Sequence, residues 1–400
     1  MSSPKILKRA IAASLVASAA CGLLFGLHYY IAKRLILDSE LPEPWRGGLL
    51  AALAILGLSL VVQPFAERFV SRPVARFVAW PSSLWMGFAF YLLVLLAATD
   101  AIWWLSGGAA RAAGEVSGGV WTTSVLRAAV VTVIAFAVGT FSLRSGLRPP
   151  DLRRVEIHLA RWPTRLDGFR IVQLSDIHIG PILDGGFARA LVERVNALAP
   201  DLVVITGDLV DGAVKNLRHE VAPFGDLHGR LGVFFVTGNH DHYSGVRSWC
   251  DVVEQLGINV LRNEWVEIRD GDSVFDIIGV DDHHGSHFGD GGGEDLVAAF
   301  DGRDPERPAL LLAHDPSTFK RASELPVDLQ ISGHTHGGQM WPFGYLVRLV
   351  VPFVAGRYRR GGSELYVSSG AGFWGPPMRL FAPAELTEIT LRSECVAEAT

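Results

Sequence analysis

Five short clusters of polar residues each follow a short apolar run in the second half of the chain. They begin at Asp176, Gly207, Gly238, Ala313 and Gly333, and they read Asp-Ile-His, Gly-Asp-Leu-Val-Asp, Gly-Asn-His-Asp, Ala-His-Asp and Gly-His-Thr-His. The runs before them have the length and composition of buried β-strands. Asp, His and Asn are the side chains that bind hard and borderline divalent metals. The pattern therefore predicts a two-metal hydrolytic site where several strands end at one edge of a sheet.

The spacing inside the clusters supports this interpretation. Asp176 and His178 alternate along one extended segment, as do His334 and His336, so each pair can face one side. Two ions at a separation of about 3.5–4 Å share a bridging ligand, and Asp208 in a Gly-Asp turn is the natural carboxylate for that position. The neighbouring glycines allow the backbone to turn sharply and to approach the ions closely.

In this order, the five clusters resemble the signature of the calcineurin-like metallophosphoesterases, over about residues 155–392. The form Gly-His-Thr-His-Gly-Gly-Gln at residues 333–339 further resembles the bacterial branch whose members carry an N-terminal membrane anchor or export signal. The resemblance implies a four-layer α/β/β/α sandwich. It also implies hydrolysis of phosphoric esters by a hydroxide that bridges two divalent ions.

The same resemblance implies a role for each polar residue of the clusters. One ion would be held by Asp176, His178, Asp208 and His336, and the other by Asp208, Asn239, His314 and His334. His240 would donate a hydrogen bond or proton to the phosphoryl or leaving oxygen, and Asp211 would orient His240 and favour its charged form. Mn²⁺ is the first expectation for both ions, and Fe, Zn²⁺ and Mg²⁺ also suit mixed nitrogen and oxygen ligands.

The first 150 residues differ in composition from the rest. They contain 13 Lys/Arg against 6 Asp/Glu, whereas residues 151–400 contain 23 against 35. Four apolar runs, at about 11–32, 48–65, 80–104 and 120–143, approach or reach the roughly 20 residues that cross a bilayer as a helix. We therefore expect a transmembrane domain at 1–149, a catalytic domain at 150–392 and a tail at 393–400.

The orientation of these spans follows from the placement of Lys and Arg in the short flanks. If the N-terminus lies in the cytoplasm, ten Lys and Arg residues flank the spans on the cytoplasmic side and four on the opposite side. We therefore expect a cytoplasmic catalytic domain. The four residues on the opposite side are Lys33, Arg34, Arg46 and Arg111. A signal peptide that ends near Cys21 is the competing interpretation, but the apolar run continues past that residue. No basic aromatic patch indicates nucleic-acid binding.

The segment after the last cluster is the candidate substrate-binding region. Residues 340–361 carry an apolar run and then Arg357, Arg359 and Arg360. This segment is either a buried strand with a turn, or an apolar flap whose basic end contacts lipid headgroups or a lipid-linked phosphate. Arg379 follows a glycine-rich turn and either meets phosphate oxygens or closes the fold.

The leading hypothesis is a membrane-anchored phosphoesterase that hydrolyses phosphodiester or pyrophosphate bonds, including those of lipid-linked substrates. A broad phosphomonoesterase or phosphoprotein phosphatase is the first alternative, because such enzymes share the metal ligands. A membrane sensor or transporter with a regulatory phosphoesterase domain is the second. Asp100 and Arg127 are placed near span ends, which argues against an ion path through the spans.

Overall fold

The computed structural model describes residues 4–105, 120–288 and 292–394. It contains two compact units: Met1–Val70 with Phe77–Phe141, and Ser71–Arg76 with Ser142–Thr400. Arg111 and the part of the expected tail from residue 395 onward lie outside the described residues.

The first unit is built from long apolar helices. They are α1 (Pro4–Ala32, continued by a π-helical segment Lys33–Leu37), α2 (Trp45–Phe69), α3 (Arg72–Leu105) and α4 (Val120–Gly146). Within the described residues, four helices are long and apolar enough to cross a membrane. Large apolar side chains such as Phe25, Ile55 and Phe136 face outward, as lipid-facing side chains do.

A cluster of polar side chains joins three segments of this unit. Asp100 accepts hydrogen bonds from Arg127 at 2.7 Å and from Tyr30 at 2.7 Å, and it forms an ion pair with Arg34 at 3.0 Å. Charged residues in such helices are costly unless they are paired. The charges of Asp100 and Arg127 therefore compensate each other, and the pair forms a structural contact between α3 and α4.

The second unit contains two six-stranded sheets. The strands are β1 (Asp151–Leu159), β2 (Phe169–Leu174), β3 (Leu202–Thr206), β4 (Val233–Val236), β5 (Asn259–Val260), β6 (Glu264–Asp270), β7 (Ser273–Gly279), β8 (Ala309–Leu312), β9 (Leu329–Ser332), β10 (Gly356–Arg360), β11 (Ser363–Val367) and β12 (Glu385–Ser393). The first sheet has the order β1-β12-β2-β3-β4-β5, and the second has the order β10-β11-β9-β8-β7-β6.

Helices accompany the strands of both sheets. They are α5 (Gly185–Ala197), α6 (Val214–Val221), α7 (Asn239–Ser244), α8 (Val246–Gln255), α9 (Leu296–Phe300), α10 (Phe319–Ala322) and α11 (Phe343–Val350). One apolar core, which includes Ile171, Phe275 and Ile331, lies between the sheets. Further cores lie under α5, α6 and α8 on one side and under α9 and α10 on the other. The expected four-layer α/β/β/α fold is confirmed.

Strand direction places the polar clusters together. Strands β2, β3 and β4 are mutually parallel in the first sheet, and β7, β8, β9 and β11 are parallel in the second. Every predicted metal ligand follows the carboxyl end of β2, β3, β4, β8 or β9. Because parallel strands end at the same edge of a sheet, this topology collects ligands from both sheets at one place.

The structure of residues 340–361 contradicts one of the two interpretations given for this segment. It is not a buried strand: α11 has no buried residue, and β10 is an edge strand with a largely exposed pattern. Its apolar residues recur at helical spacing, which the sequence interpretation overlooked because the run is short.

Candidate active site

The predicted ligands converge on two neighbouring positions. Among the residues that the structure describes, three groups have possible ligand atoms within 4.8 Å of one another: Asp176 with His178 and His336, His178 with Asp208 and His240, and Asp208 with His314 and His334. Asp208 belongs to two of these groups, so it lies between the positions. This is the arrangement expected of a carboxylate that two ions share.

The first position lies between β2 and the loop after β9. His178 Nε2 is 3.0 Å from His336 Nε2, which is in turn 3.4 Å from Asp176 Oδ1. The backbone N–H of His334 donates to both carboxylate oxygens of Asp176, at 2.9 and 3.1 Å. The loop after β9 therefore holds the Asp176 side chain in place while it contributes its own imidazoles.

The second position lies beside Asp208. Its Oδ2 is 3.2 Å from His314 Nε2 and 3.8 Å from His178 Nε2. His314 Nδ1 donates to the carbonyl of Thr206 at 2.7 Å, which turns Nε2 toward Asp208. His334 Nδ1 completes this side at 3.2 Å from His314 Nε2. A backbone partner that fixes one ring nitrogen while the other faces the site is typical of metal-binding histidines.

Two features of the chain fit metal ions at these positions. Asn239 Oδ1 is buried and accepts no hydrogen bond from any described residue, and a buried amide oxygen without a donor is costly unless something else binds it. Five of the seven predicted ligands also have positive φ, between 51° and 76°: Asp176, His178, Asp208, His334 and His336. Residues other than glycine rarely adopt this conformation, and such strain is concentrated at functional sites.

The electrostatics of the histidines suit the same role. Burial and the neighbouring His314 lower the pKa of His334, and burial, His178 and Arg379 lower the pKa of His336 well below its ordinary value. Both imidazoles are thereby kept neutral, which is the form that binds a metal.

Asp211 contacts two histidines at once. Its Oδ1 lies 2.6 Å from His240 Nδ1, and both of its oxygens lie 3.1 Å from His178 Nδ1. Burial lowers the pKa of His240, but the charges of Asp211 and Asp208 outweigh it and raise that pKa to about 9. For Asp211, burial is outweighed by His178 and His240, which hold its pKa below the usual range. Asp211 therefore connects the expected proton donor to an expected metal ligand.

Asp241 is a residue that the sequence interpretation missed. It is buried, and its carboxylate accepts hydrogen bonds from the backbone N–H groups of Asp208, Leu209, Val210 and Gly238, at 2.8–3.3 Å. These bonds shape the turn that presents Asp208. The position of Asp241 in the Gly-Asn-His-Asp cluster was the available signal. Only the folded chain reveals that three of its four partners lie in the preceding cluster.

We expect Gly333→Ala and Gly238→Ala to disrupt the site without unfolding the domain. An added Cβ at Gly333 would overlap Asp176 Oδ2, and one at Gly238 would overlap Asp208 Oδ1. Displacing a catalytic group by about 1 Å can cost roughly 10²-fold in rate. Bound metal per chain and phosphoesterase rate are the measurements. Gly362→Ala, whose Cβ would enter open space, is the matched control, and equal behaviour of all three variants would contradict the expectation.

Arg379 lies inside the protein, so it does not reach a substrate in this structure. It is fully buried, and its guanidinium donates to the carbonyls of His336, Ser369, Gly370, Gly372 and Ala382. Burial lowers its pKa to about 10. Of the two expectations for Arg379, the contacts favour closure of the fold around the loop that carries His336.

Arg379→Met should therefore destabilise the protein. Breaking a buried, charged hydrogen-bond network costs about 3–5 kcal/mol, which corresponds to a fall in Tm of roughly 10 °C for a domain of this size. Thermal unfolding measures the effect, and the exposed Arg360→Met serves as the control. An unchanged Tm with a higher KM for a phosphoester would instead support substrate binding by Arg379.

The structure does not bring Arg357, Arg359 and Arg360 to the site. Strand β10 begins beside the site edge, where Gly356 pairs with Val367, and runs away from it to the pairing of Arg360 with Ser363. The arginines form ion pairs with other residues: Arg357 and Arg359 with the buried Glu364, and Arg360 with the exposed Glu324. Their sequence position close to the last metal cluster is misleading because the chain turns away in between.

Comparison with known proteins identifies relatives of this chain. The calcineurin-like phosphoesterase family matches residues 169–338. A Bos taurus transmembrane protein with a metallophosphoesterase domain is 37% identical over 315 residues, which are 76% of this chain and 70% of that protein. A metallophosphoesterase of Campylobacter jejuni is 35% identical and aligns with 63% of this chain and 66% of that protein. One of Aquifex aeolicus is 35% identical, with coverages of 56% and 85%.

These relatives are not confined to bacteria, since one is bovine. The chain spans about two thirds of the length of the bovine and Campylobacter proteins. The family expected from the five clusters is confirmed. The chain belongs to the calcineurin-like phosphoesterase family and is a metal-dependent phosphoric ester hydrolase.

Proposed function

We propose that this chain is a membrane-anchored, two-metal phosphoesterase whose ligands are Asp176, His178, Asp208, Asn239, His314, His334 and His336. The observation that carries this proposal is the position of Asp208, which is shared by a group with His178 and a group with His314 and His334. The buried Asn239 Oδ1, which accepts no hydrogen bond from a described residue, supports the same assignment. Mn²⁺ is our first choice of metal, since nitrogen and oxygen ligands of this kind accept several divalent ions.

In this proposal, His240 donates the proton and Asp211 holds His240 in its protonated form. Asp211 accepts from His240 Nδ1 and leaves Nε2 as the donor toward a phosphoryl or leaving oxygen. When bound, the ions supply the Lewis acidity that polarises the phosphoryl group and activates water. Asp241 and Arg379 keep the loops of the site in position through their backbone contacts.

We further propose that the substrate carries a phosphodiester or pyrophosphate bond and is lipid-linked. The four candidate spans support this, because helix α4 continues without a break to Gly146, four residues before the catalytic domain proposed at 150–392. The excess of Lys and Arg on one side of the spans supports a cytoplasmic position for that domain. The Gly-His-Thr-His-Gly-Gly-Gln sequence supports a place in the membrane-anchored bacterial branch.

A substrate panel tests the proposal. The full chain in lipid nanodiscs, loaded with Mn²⁺, is assayed on an aryl phosphomonoester, a phosphopeptide, an aryl phosphodiester and a nucleotide-sugar lipid with a pyrophosphate bond. We expect the highest kcat/KM on the last substrate, lower activity on the aryl diester, and loss of both after chelation. Preference for the phosphomonoester or the phosphopeptide would favour the alternative of a broad phosphatase.

A further inference from the structure

The second unit, which contains the proposed catalytic domain, exposes large apolar side chains on and beside helix α11, which follows the last metal cluster. We call this group the apolar helix face, and it consists of Trp341, Phe343, Tyr345, Leu346, Leu349, Val350 and Phe381. Leu349, Val350 and Phe381 are 82%, 80% and 81% exposed. An exposed group of large apolar side chains in a folded domain marks an interaction surface.

This surface is built on a fixed element of the fold. The backbone N–H of Trp341 donates to the carbonyl of Leu380 at 3.1 Å, before α11 begins. After α11 ends, Thr335 Oγ1 donates to the carbonyl of Val354. Thr335 lies between the predicted ligands His334 and His336. The segment is therefore attached at its start to Leu380 and at its end to the loop that carries these two ligands. Because the helix is held at both ends, its apolar face is exposed in the folded structure and not through local unfolding.

The glycines of the last cluster bring the helix close to that loop. Gly338 has a φ of 82°, and an added Cβ there would overlap the Cα of Gly344 in α11. A side chain at position 338 would therefore be strained by its backbone angle and would push the helix away. Gly338 thus has a packing role in addition to its proximity to the ligands.

The same surface adjoins the end of the fourth candidate span. The backbone N–H of Arg379, two residues before Phe381, donates to the carbonyl of Ser142 at 2.9 Å. Gly146 approaches the Pro377 carbonyl so closely that a Cβ would overlap it. Ser142 and Gly146 belong to the last turns of α4, which contains the candidate span Ser124–Gly146. The end of that span and the apolar helix face are therefore joined through residues 377–381.

Basic side chains flank this region. Arg348 lies on α11, and Arg144 and Arg148 lie at and just after the end of α4; all three are exposed. Apolar and aromatic side chains with neighbouring Arg are the composition of helices that lie in the interface of a bilayer with anionic lipid. Ser142–Gly146, the last residues of α4, pack against residues 377–379 within this unit. The bilayer that the preceding part of α4 is proposed to cross is therefore the occupant that chain connectivity favours for this face.

We propose that the apolar helix face inserts into the interfacial layer of that bilayer. This inference rests on the proposed anchoring of the chain in a membrane, and it adds a second, peripheral contact for the catalytic unit. Since α11 begins seven residues after His336, the contact holds the metal edge close to the headgroup layer. A lipid-linked phosphate then reaches the site without leaving the membrane.

A fluorescence experiment on the full chain tests this contact. Cys21 and Cys395 are replaced with Ser, buried Cys250 is kept, and Leu349→Cys is labelled with an environment-sensitive fluorophore. In nanodiscs that contain anionic lipid, we expect blue-shifted emission and strong quenching by lipids brominated near the headgroup end of the acyl chain. Val297→Cys is the matched control, because Val297 is apolar and 84% exposed in the same unit; we expect no quenching there.

The outcomes separate lipid from other occupants. Emission from position 349 that equals the control overturns the proposal. A blue shift without quenching by brominated lipid overturns it as well, since a protein partner such as a second copy would then cover the face. If Leu349→Cys does not fold, Val350→Cys reports on the same face. The measurement needs no turnover, so it stands or falls separately from the proposed phosphoesterase activity.

Discussion

Asp208→Asn should leave a folded protein that has lost both ions and nearly all hydrolytic activity. In the described part of the chain, Asp208 is the one side chain shared by a group with His178 and by the group of His314 and His334, so its charge serves both proposed ions. Removing a shared anionic ligand forfeits several kcal/mol of charge stabilisation, which corresponds to a loss of about 10³-fold or more in kcat/KM.

Asparagine is the right replacement because it preserves the local hydrogen bonding. Asp208 Oδ1 accepts from the backbone N–H of His240 at 2.8 Å, and an amide oxygen can accept the same bond. The measurements are metal content per chain by elemental analysis and the rate on an aryl phosphodiester. Asp226→Asn, an exposed aspartate of the same unit, should behave as wild type. Retention of two ions by Asp208→Asn would contradict the shared-ligand assignment.

His240→Gln should separate chemistry from metal binding. His240 contacts Asp211 and lies beside the ligands, but it is the expected proton donor and not a predicted ligand. General acid catalysis by a positioned side chain is worth about 10²–10⁴-fold in rate. We therefore expect kcat to fall by a factor in that range while metal content stays at the wild-type level. Exposed His228→Ala is the control.

Asp211→Asn should affect both properties, because Asp211 contacts His178 as well as His240. Loss of a partner behind a metal-binding histidine typically costs about 10–100-fold in metal affinity. The comparison is a metal titration and a rate measurement on both variants. A loss of metal in His240→Gln, or unchanged metal affinity in Asp211→Asn, would refute these separate roles.

The ligand set and the membrane spans could be predicted from the sequence for physical reasons that are local. A polar residue directly after a buried strand must lie at the sheet edge, so the clusters at 176, 208, 239, 314 and 334 were placed by strand ends alone. Likewise, a run of about 20 apolar residues has few alternatives to a spanning helix. The structure brings six of the seven predicted ligands together, and Asn239 is buried in the loop whose neighbouring His240 N–H donates to Asp208. Their binding of metal stays a prediction.

Other roles depended on contacts between residues far apart in the chain. Arg379 was a candidate for phosphate binding until its burial among five carbonyls became visible. Arg357, Arg359 and Arg360 follow the last cluster in sequence, yet β10 runs away from the site. Asp241 supports the Asp208 turn from the next cluster along the chain. Strand ends and apolar runs are local properties, whereas burial, strand direction and the partner of a charged group arise only when distant segments pack together.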